Sequence, residues 1–177
     1  MNYTVKDILN LQVAPALGCT EPVAIALGAA AALLDRKQID RIEVSVDPNI
    51  YKNGLAVSIP GTGGLSGLDM AAAIGACAGN PALKLEVLDS VDEKDVPAAK
   101  KMIKEGRVKV NLLADHRGLN IETTVRAGDD WAQSLIRDMH DNIVSLSLNG
   151  RQVADSPLLS GQDGGREAAR DEFSGER

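Results

Sequence analysis

Aromatic residues, cysteine and positive charge are all scarce in this 177-residue chain. It has one Trp, two Tyr and one Phe, so its core has to come from aliphatic side chains and alanine. Two cysteines, Cys19 and Cys77, exclude a secreted disulfide framework, and by themselves they cannot ligate an iron–sulfur cluster or a four-thiolate zinc site. Lys and Arg number 19 against 25 Asp and Glu, a net charge of −6. That sign is opposite to what neutralising a phosphate backbone needs, so no nucleic-acid partner is expected. The longest apolar run, Val23 to Leu34, has 12 residues, too short to span a bilayer. It follows Glu21-Pro22 rather than a basic segment, so neither a membrane span nor a signal peptide is expected, and the location is read as cytoplasmic.

What is present is a patterned chain. Val5 to Val13 suits a short helix. Thr20 is a good N-cap, Glu21 and Pro22 suit a first turn, and the alanine- and leucine-rich stretch that follows predicts a helix to Asp35. Ile39 to Val46 alternates as a strand with one buried face. Asp47 to Gly54 reads as a loop, Leu55 to Ile59 as a short strand, and Pro60 to Gly67 as a glycine-rich loop before a second alanine-rich helix, Leu68 to Cys77. Leu83 to Leu88 reads as a strand and Asp92 to Glu105 as a helix. Val108 to Leu113, Leu119 to Arg126, Trp131 to Arg137 and Ile143 to Leu148 read as four strands of an antiparallel meander. The order of elements predicts an α+β fold over residues 1–155, with alanine-rich helices packed on a mixed sheet, followed by a polar, disordered tail over 156–177.

Small residues recur every fourth position in both alanine-rich helices, at Ala24, Gly28 and Ala32 and at Ala71, Gly75 and Gly79. Such ridges let the two helices, or a helix of another chain, approach closely, which suits a core poor in aromatics and allows a homo-oligomer. Alanine's helix propensity alone is the other explanation.

Cys19 stands directly before the predicted N-cap, where unpaired N–H groups and the helix dipole favour a thiolate able to act as base or nucleophile. An isolated cysteine is also commonly an inert small hydrophobe, which is the reading taken for Cys77. Glu21 can cap the backbone or bind a substrate ammonium. The Gly61–Gly67 loop offers backbone N–H groups that suit a carboxylate better than a nucleotide, or is a plain turn. His140 precedes an Asp-Asn turn, which it either caps or leaves to face a site.

Taken in order, Pro15-Ala-Leu-Gly-Cys-Thr-Glu-Pro22, Pro48-Asn-Ile-Tyr-Lys-Asn-Gly54 and Ile59-Pro-Gly-Thr-Gly63 resemble the N-terminal half of the L-cysteine desulfidase family, which is related to the α-chain of iron–sulfur L-serine dehydratases. The resemblance runs from about Val13 to Val153. It includes His140-Asp-Asn-Ile143, where Asp141 departs from the family's His-Thr-Asn-Ile. It implies a lyase that performs α,β-elimination on L-cysteine or L-serine without pyridoxal phosphate, with a base removing the α-proton and a 4Fe-4S cluster as Lewis acid. It places the base at Cys19, and the substrate among Glu21, Asn49, Lys52, Asn53, Gly61, Thr62, Gly63, His140 and Asn142. The family's cluster-ligating cysteines lie in a C-terminal half that has no counterpart here. The expectation is therefore a component that needs a second chain carrying the cluster. The alternatives are a truncated, inactive family member or a non-catalytic small-molecule-binding or assembly module.

Overall fold

A computed structural model describes residues 4–6, 14–32 and 39–160. The fold is α+β. Helix α1 spans Thr20–Ala31, strand β1 Arg41–Val46, helix α2 Pro48–Gly54, helix α3 Leu68–Ala78 and helix α4 Val96–Lys104. Strands β2 (Val108–Leu112), β3 (Asn120–Ala127), β4 (Asp130–Arg137), β5 (Ile143–Leu148) and β6 (Arg151–Gln152) follow. They form one sheet in the order β2-β1-β3-β4-β5-β6. The pair β1–β2 is parallel and every other pair is antiparallel.

The sheet buries one face. In β1, Ile42, Val44 and Val46 are buried while Arg41, Glu43 and Ser45 are not, and β3 and β4 alternate similarly. Helix α1 is buried along almost its whole length, from Pro22 to Ala31, and packs against α3 and against β3 and β4. A helix apolar on all sides is stable only when covered on all sides. The largest fully buried side chains are all Ile, Leu or Val, so the core does without aromatics.

The small-residue ridges do different jobs. A Cβ on Gly75 would lie 2.5 Å from Ala26 Cα and nearer still to its carbonyl oxygen, so α3 meets the backbone of α1 there. Gly28 instead faces the sheet, where a Cβ would stand 3.0 Å from Thr123 Oγ1 and 3.4 Å from Ser134 Oγ. Ser134 Oγ–H donates to the Gly28 carbonyl at 2.7 Å, tying the sheet to the helix.

Several sequence expectations are corrected. Asp47 to Gly54 is a helix rather than a loop for all but its first residue, which caps it. The carboxylate of Asp47 accepts from Asn49 N–H at 2.8 Å and Ile50 N–H at 3.2 Å, and Pro48 occupies the first turn. Leu55–Ile59 forms no strand beyond a single bridge, Ser58 to Ser66. Pro81–Glu86 is 3-10 helix, broken at Lys84, where a strand was expected over Leu83–Leu88. The four late strands are not one meander, because β1 inserts between β2 and β3 and pairs with both. The N-cap of α1 is Cys19, with no side-chain cap, and Thr20 is already helical. Of the expected tail, Leu158 and Leu159 pack on the core and Ser160 N–H bonds the Ile143 carbonyl at 2.9 Å. Residues 161–177, and most of the helix expected over Val5–Val13, lie outside the described residues.

Candidate functional site

The start of α1, helix α2 with its cap Asp47, and the β4–β5 turn converge on one cavity. Gly18, at φ +82, turns the chain into α1 and leaves room for Pro60, whose Cγ lies 3.1 Å from where a Gly18 Cβ would be. This places Cys19 at the helix start and Glu21 in its first turn. Asp47 anchors the second wall. Besides capping α2, it is fully buried and its other oxygen accepts from Asn120 N–H at 2.9 Å. Helix α2 then runs back towards α1, and a Cβ on Gly54 would be 3.6 Å from Glu21 Cβ. That approach brings Asn53 Nδ2 to Glu21 Oε1 at 3.3 Å.

The cavity measures about 270 Å³ and is lined by Glu21, Asp47, Asn49, Ile50, Asn53, Leu119 and His140. That is close to the lower end of small-molecule sites. Both Asp47 oxygens are engaged by backbone N–H groups, so Glu21 is the carboxylate that faces a ligand.

Glu21 is held from behind. Cys19 Sγ–H donates to Glu21 Oε2 at 2.8 Å, and Thr20 Oγ1–H reaches the same oxygen at 3.4 Å. Burial pushes the Cys19 thiol up, and the hydrogen bond and negative charge of Glu21 push it further, outweighing the backbone donors that would lower it. The helix start therefore does not favour a thiolate here, because burial first, and then the Glu21 carboxylate in the first turn, outweigh the backbone donors. Burial acts to raise Glu21 as well, but the bonds from Cys19, its own backbone N–H and Asn53, with the charge of His140, prevail and hold it below the usual carboxylate range. The resting pair is a thiol beside a carboxylate.

Cys19, Glu21, Asn49, Asn53 and His140 are therefore brought together. Lys52 is exposed in the last turn of α2 and lines no part of the cavity. Gly61, Thr62 and Gly63 form a closed turn outside it. Thr62 is buried and its Oγ1–H donates to the Ile59 carbonyl at 2.7 Å, while Gly61 packs against the Val91 backbone. Asn142 holds the β4–β5 turn by donating to the Arg137 carbonyl at 2.8 Å. Sequence reasoning missed Asp47, Ile50 and Leu119. Asp47 followed by Pro48 was the readable signal, being a capping residue before a proline at the first helical position.

The residues of this chain do not fit a four-iron cluster. Cys77 lies on α3 and donates to Met102 Sδ at 3.6 Å, away from the Cys19 pair. Among the described residues no group of three or more His, Cys, Asp or Glu could hold a metal ion. Among them, too, no helix is long and apolar enough to cross a membrane.

The chain is similar to UPF0597 proteins. It is 55% identical to one from Desulfatibacillum aliphaticivorans over 171 residues, covering 95% of this chain and 39% of that protein. It is 59% identical to one from Desulforapulum autotrophicum over 162 residues, 90% of this chain and 37% of the other. With one from Geobacter sulfurreducens the identity is 40% over 155 residues, 86% and 36% of the two. The chain thus spans less than two fifths of the length of these relatives. No family model matches it. No solved structure matches it either.

Proposed function

We propose that this chain is the substrate-binding and proton-transfer component of a cytoplasmic lyase that eliminates sulfide from L-cysteine, or water from L-serine, to give pyruvate and ammonia. The observation that carries this reading is the cavity in which Glu21, Asn53, Asn49 and His140 converge, with the Cys19 thiol hydrogen-bonded to Glu21. An ionised carboxylate at the wall suits the α-ammonium of an amino acid. The Asn49 and Asn53 amides supply donors for its carboxylate. Cys19, one residue pair away, is the proton acceptor for Cα. The motif resemblance supplies the reaction class. The 4Fe-4S cluster that this class uses would be supplied by a second chain.

The test is reconstitution with a cluster-bearing partner. The chain alone should release no sulfide from L-cysteine, and the complex should release sulfide and pyruvate. Cys19→Ala in the complex should lower kcat by about 10²-fold or more, the usual size of general-base catalysis. Unchanged turnover in Cys19→Ala would remove Cys19 from the reaction. A binding module without turnover is the second reading, and the protonated thiol at rest favours it. On that reading L-cysteine binds to the cavity, Glu21→Gln weakens binding, and no partner elicits product.

A further inference from the structure

Glu21 has two neighbours that compete for its charge. On one side is the cavity, where it is the wall carboxylate not already saturated by backbone donors. On the other is Cys19, which is not part of the cavity wall and is linked to it through the 2.8 Å contact from Sγ to Glu21 Oε2. Asn53 holds Oε1 at 3.3 Å, while Oε2 accepts from Cys19 and, at the longer distance of 3.4 Å, from Thr20. A carboxylate that accepts a thiol proton keeps that proton on sulfur, and a cation seated on the carboxylate removes both the acceptor and the repulsion.

We propose that Glu21 is a ligand-operated lock on Cys19: the ammonium group of an amino acid entering the cavity takes the Glu21 carboxylate from the thiol and so eases loss of the thiol proton. The proposal rests on reading the cavity as an amino-acid site. The proton balance is simple. The ligand ammonium replaces Sγ–H as donor to Oε2, and the thiol, freed of that acceptor, yields its proton to solvent base more readily, the thiolate so formed lying behind the Glu21 carboxylate. The other titratable groups lining the cavity beside Glu21 are Asp47 at the head of α2 and His140 in the β4–β5 turn. Asp47 is tied to three backbone N–H groups and keeps its arrangement when a ligand arrives. The lock reconciles two features that otherwise conflict, a thiol held protonated at rest and its position beside the cavity-wall carboxylate whose partners include exchangeable side chains. It also leaves Cys19 unreactive until a ligand with the right charge is present.

The experiment measures the rate at which iodoacetamide alkylates Cys19 at pH 7, where an amino-acid ammonium is charged, in the full chain carrying Cys77→Ala. The probes are L-alanine, which has the ammonium but no leaving group, and propionate, which lacks the ammonium. Saturating L-alanine should raise the rate about tenfold or more, the usual effect of an adjacent cation on the thiolate population, and propionate should leave it unchanged. Glu21→Gln should raise the rate without any ligand and abolish the response to L-alanine. No rise with L-alanine, an equal rise with propionate, or an undiminished response in Glu21→Gln would each overturn the lock. The ligand arm stands without the Glu21 variant. A rise without product in the reconstituted assay would sink the lyase and keep the lock, while product without a rise would do the reverse.

Discussion

Replacing Gly75 by alanine measures how closely the two buried helices meet. The new methyl carbon would sit 2.5 Å from Ala26 Cα and 2.7 Å from its carbonyl carbon. Carbon atoms rest at about 3.5–4.0 Å, so α1 and α3 must part by roughly 1 Å. Neither helix can yield by a side-chain rotation, because the atoms met are backbone. Overpacking of this kind costs about 1–3 kcal/mol, and the absence of a flexible neighbour puts Gly75→Ala at the upper end. Alanine's better helix propensity returns about 1 kcal/mol. The net loss is about 2 kcal/mol, a sizeable part of the roughly 5–15 kcal/mol that holds a typical domain together. Gly28→Ala is the control, since its methyl would meet the hydroxyls of Thr123 and Ser134 at 3.0 and 3.4 Å, groups that can shift. Its net effect should stay within about 1 kcal/mol of zero. Urea unfolding followed by the fluorescence of Trp131, the chain's one tryptophan, should show the Gly75→Ala midpoint lowered by roughly 1 M at unchanged slope. A Gly75→Ala chain as stable as the parent, with Gly28→Ala the weaker of the two, would refute the helix–helix contact.

Three further outcomes follow from the same structure. Thr123 Oγ1 is fully buried without a hydrogen-bond partner among the described residues, so Thr123→Val should stabilise the chain by about 1 kcal/mol, a rise of roughly 2–4 °C in Tm by calorimetry; a lower Tm would mean that the hydroxyl is satisfied. Asp47→Ala removes three bonds to backbone N–H groups and should cost about 2–4 kcal/mol in urea unfolding and weaken amino-acid binding, because α2 loses its cap and the cavity its wall. The Cys19–Glu21 pair makes stability fall at both ends of the pH scale. The Cys19 thiol lies above its ordinary value of 9.0 in the folded chain, so its contribution is complete below 9.0 and is lost as pH rises through the folded value. Glu21 lies below its ordinary 4.5, so its contribution is present above 4.5 and is lost as pH falls through the folded value. Cys19→Ala should remove the alkaline loss in unfolding curves taken across the thiol range; an unchanged alkaline limb would place its origin elsewhere.

Local signals were legible where one segment decides its own conformation. The alternation of Ile42, Val44 and Val46 marked β1, and Ile143–Leu148 marked β5 at its true bounds, because a half-buried strand needs period-two patterning. The start of α1 was readable to within one residue from Cys19-Thr20-Glu21-Pro22. Helix α2 was missed although Asp47-Pro48 announces it, because the Asn- and Gly-containing segment behind them resembles a loop. Leu83–Leu88 has a strand-like composition, but Pro81 and the N-cap bond that Asn80 Oδ1 accepts from Ala82 N–H wind its start into 3-10 turns. Asn149 and Gly150, both at positive φ, formed an unforeseen hairpin to β6.

The amino-acid sequence by itself settled the materials: an acidic chain, an aliphatic and alanine core, an α+β order of elements, and a cysteine and a glutamate at one helix start. Those depend on composition and on contacts a few residues apart. Only the tertiary structure decided that β1 lies between β2 and β3, that Gly75 rather than Gly28 joins the two helices, and that Glu21, Asn53 and His140 share a cavity while Lys52 and the Gly61–Gly63 turn stand outside it. It also turned the balance at Cys19 towards the thiol. A helix start favours a thiolate through nearby dipoles, but burial of the sulfur and the hydrogen bond to a carboxylate 2.8 Å away act the other way, and whether a side chain two residues on turns back to meet the sulfur is set by the packing around it.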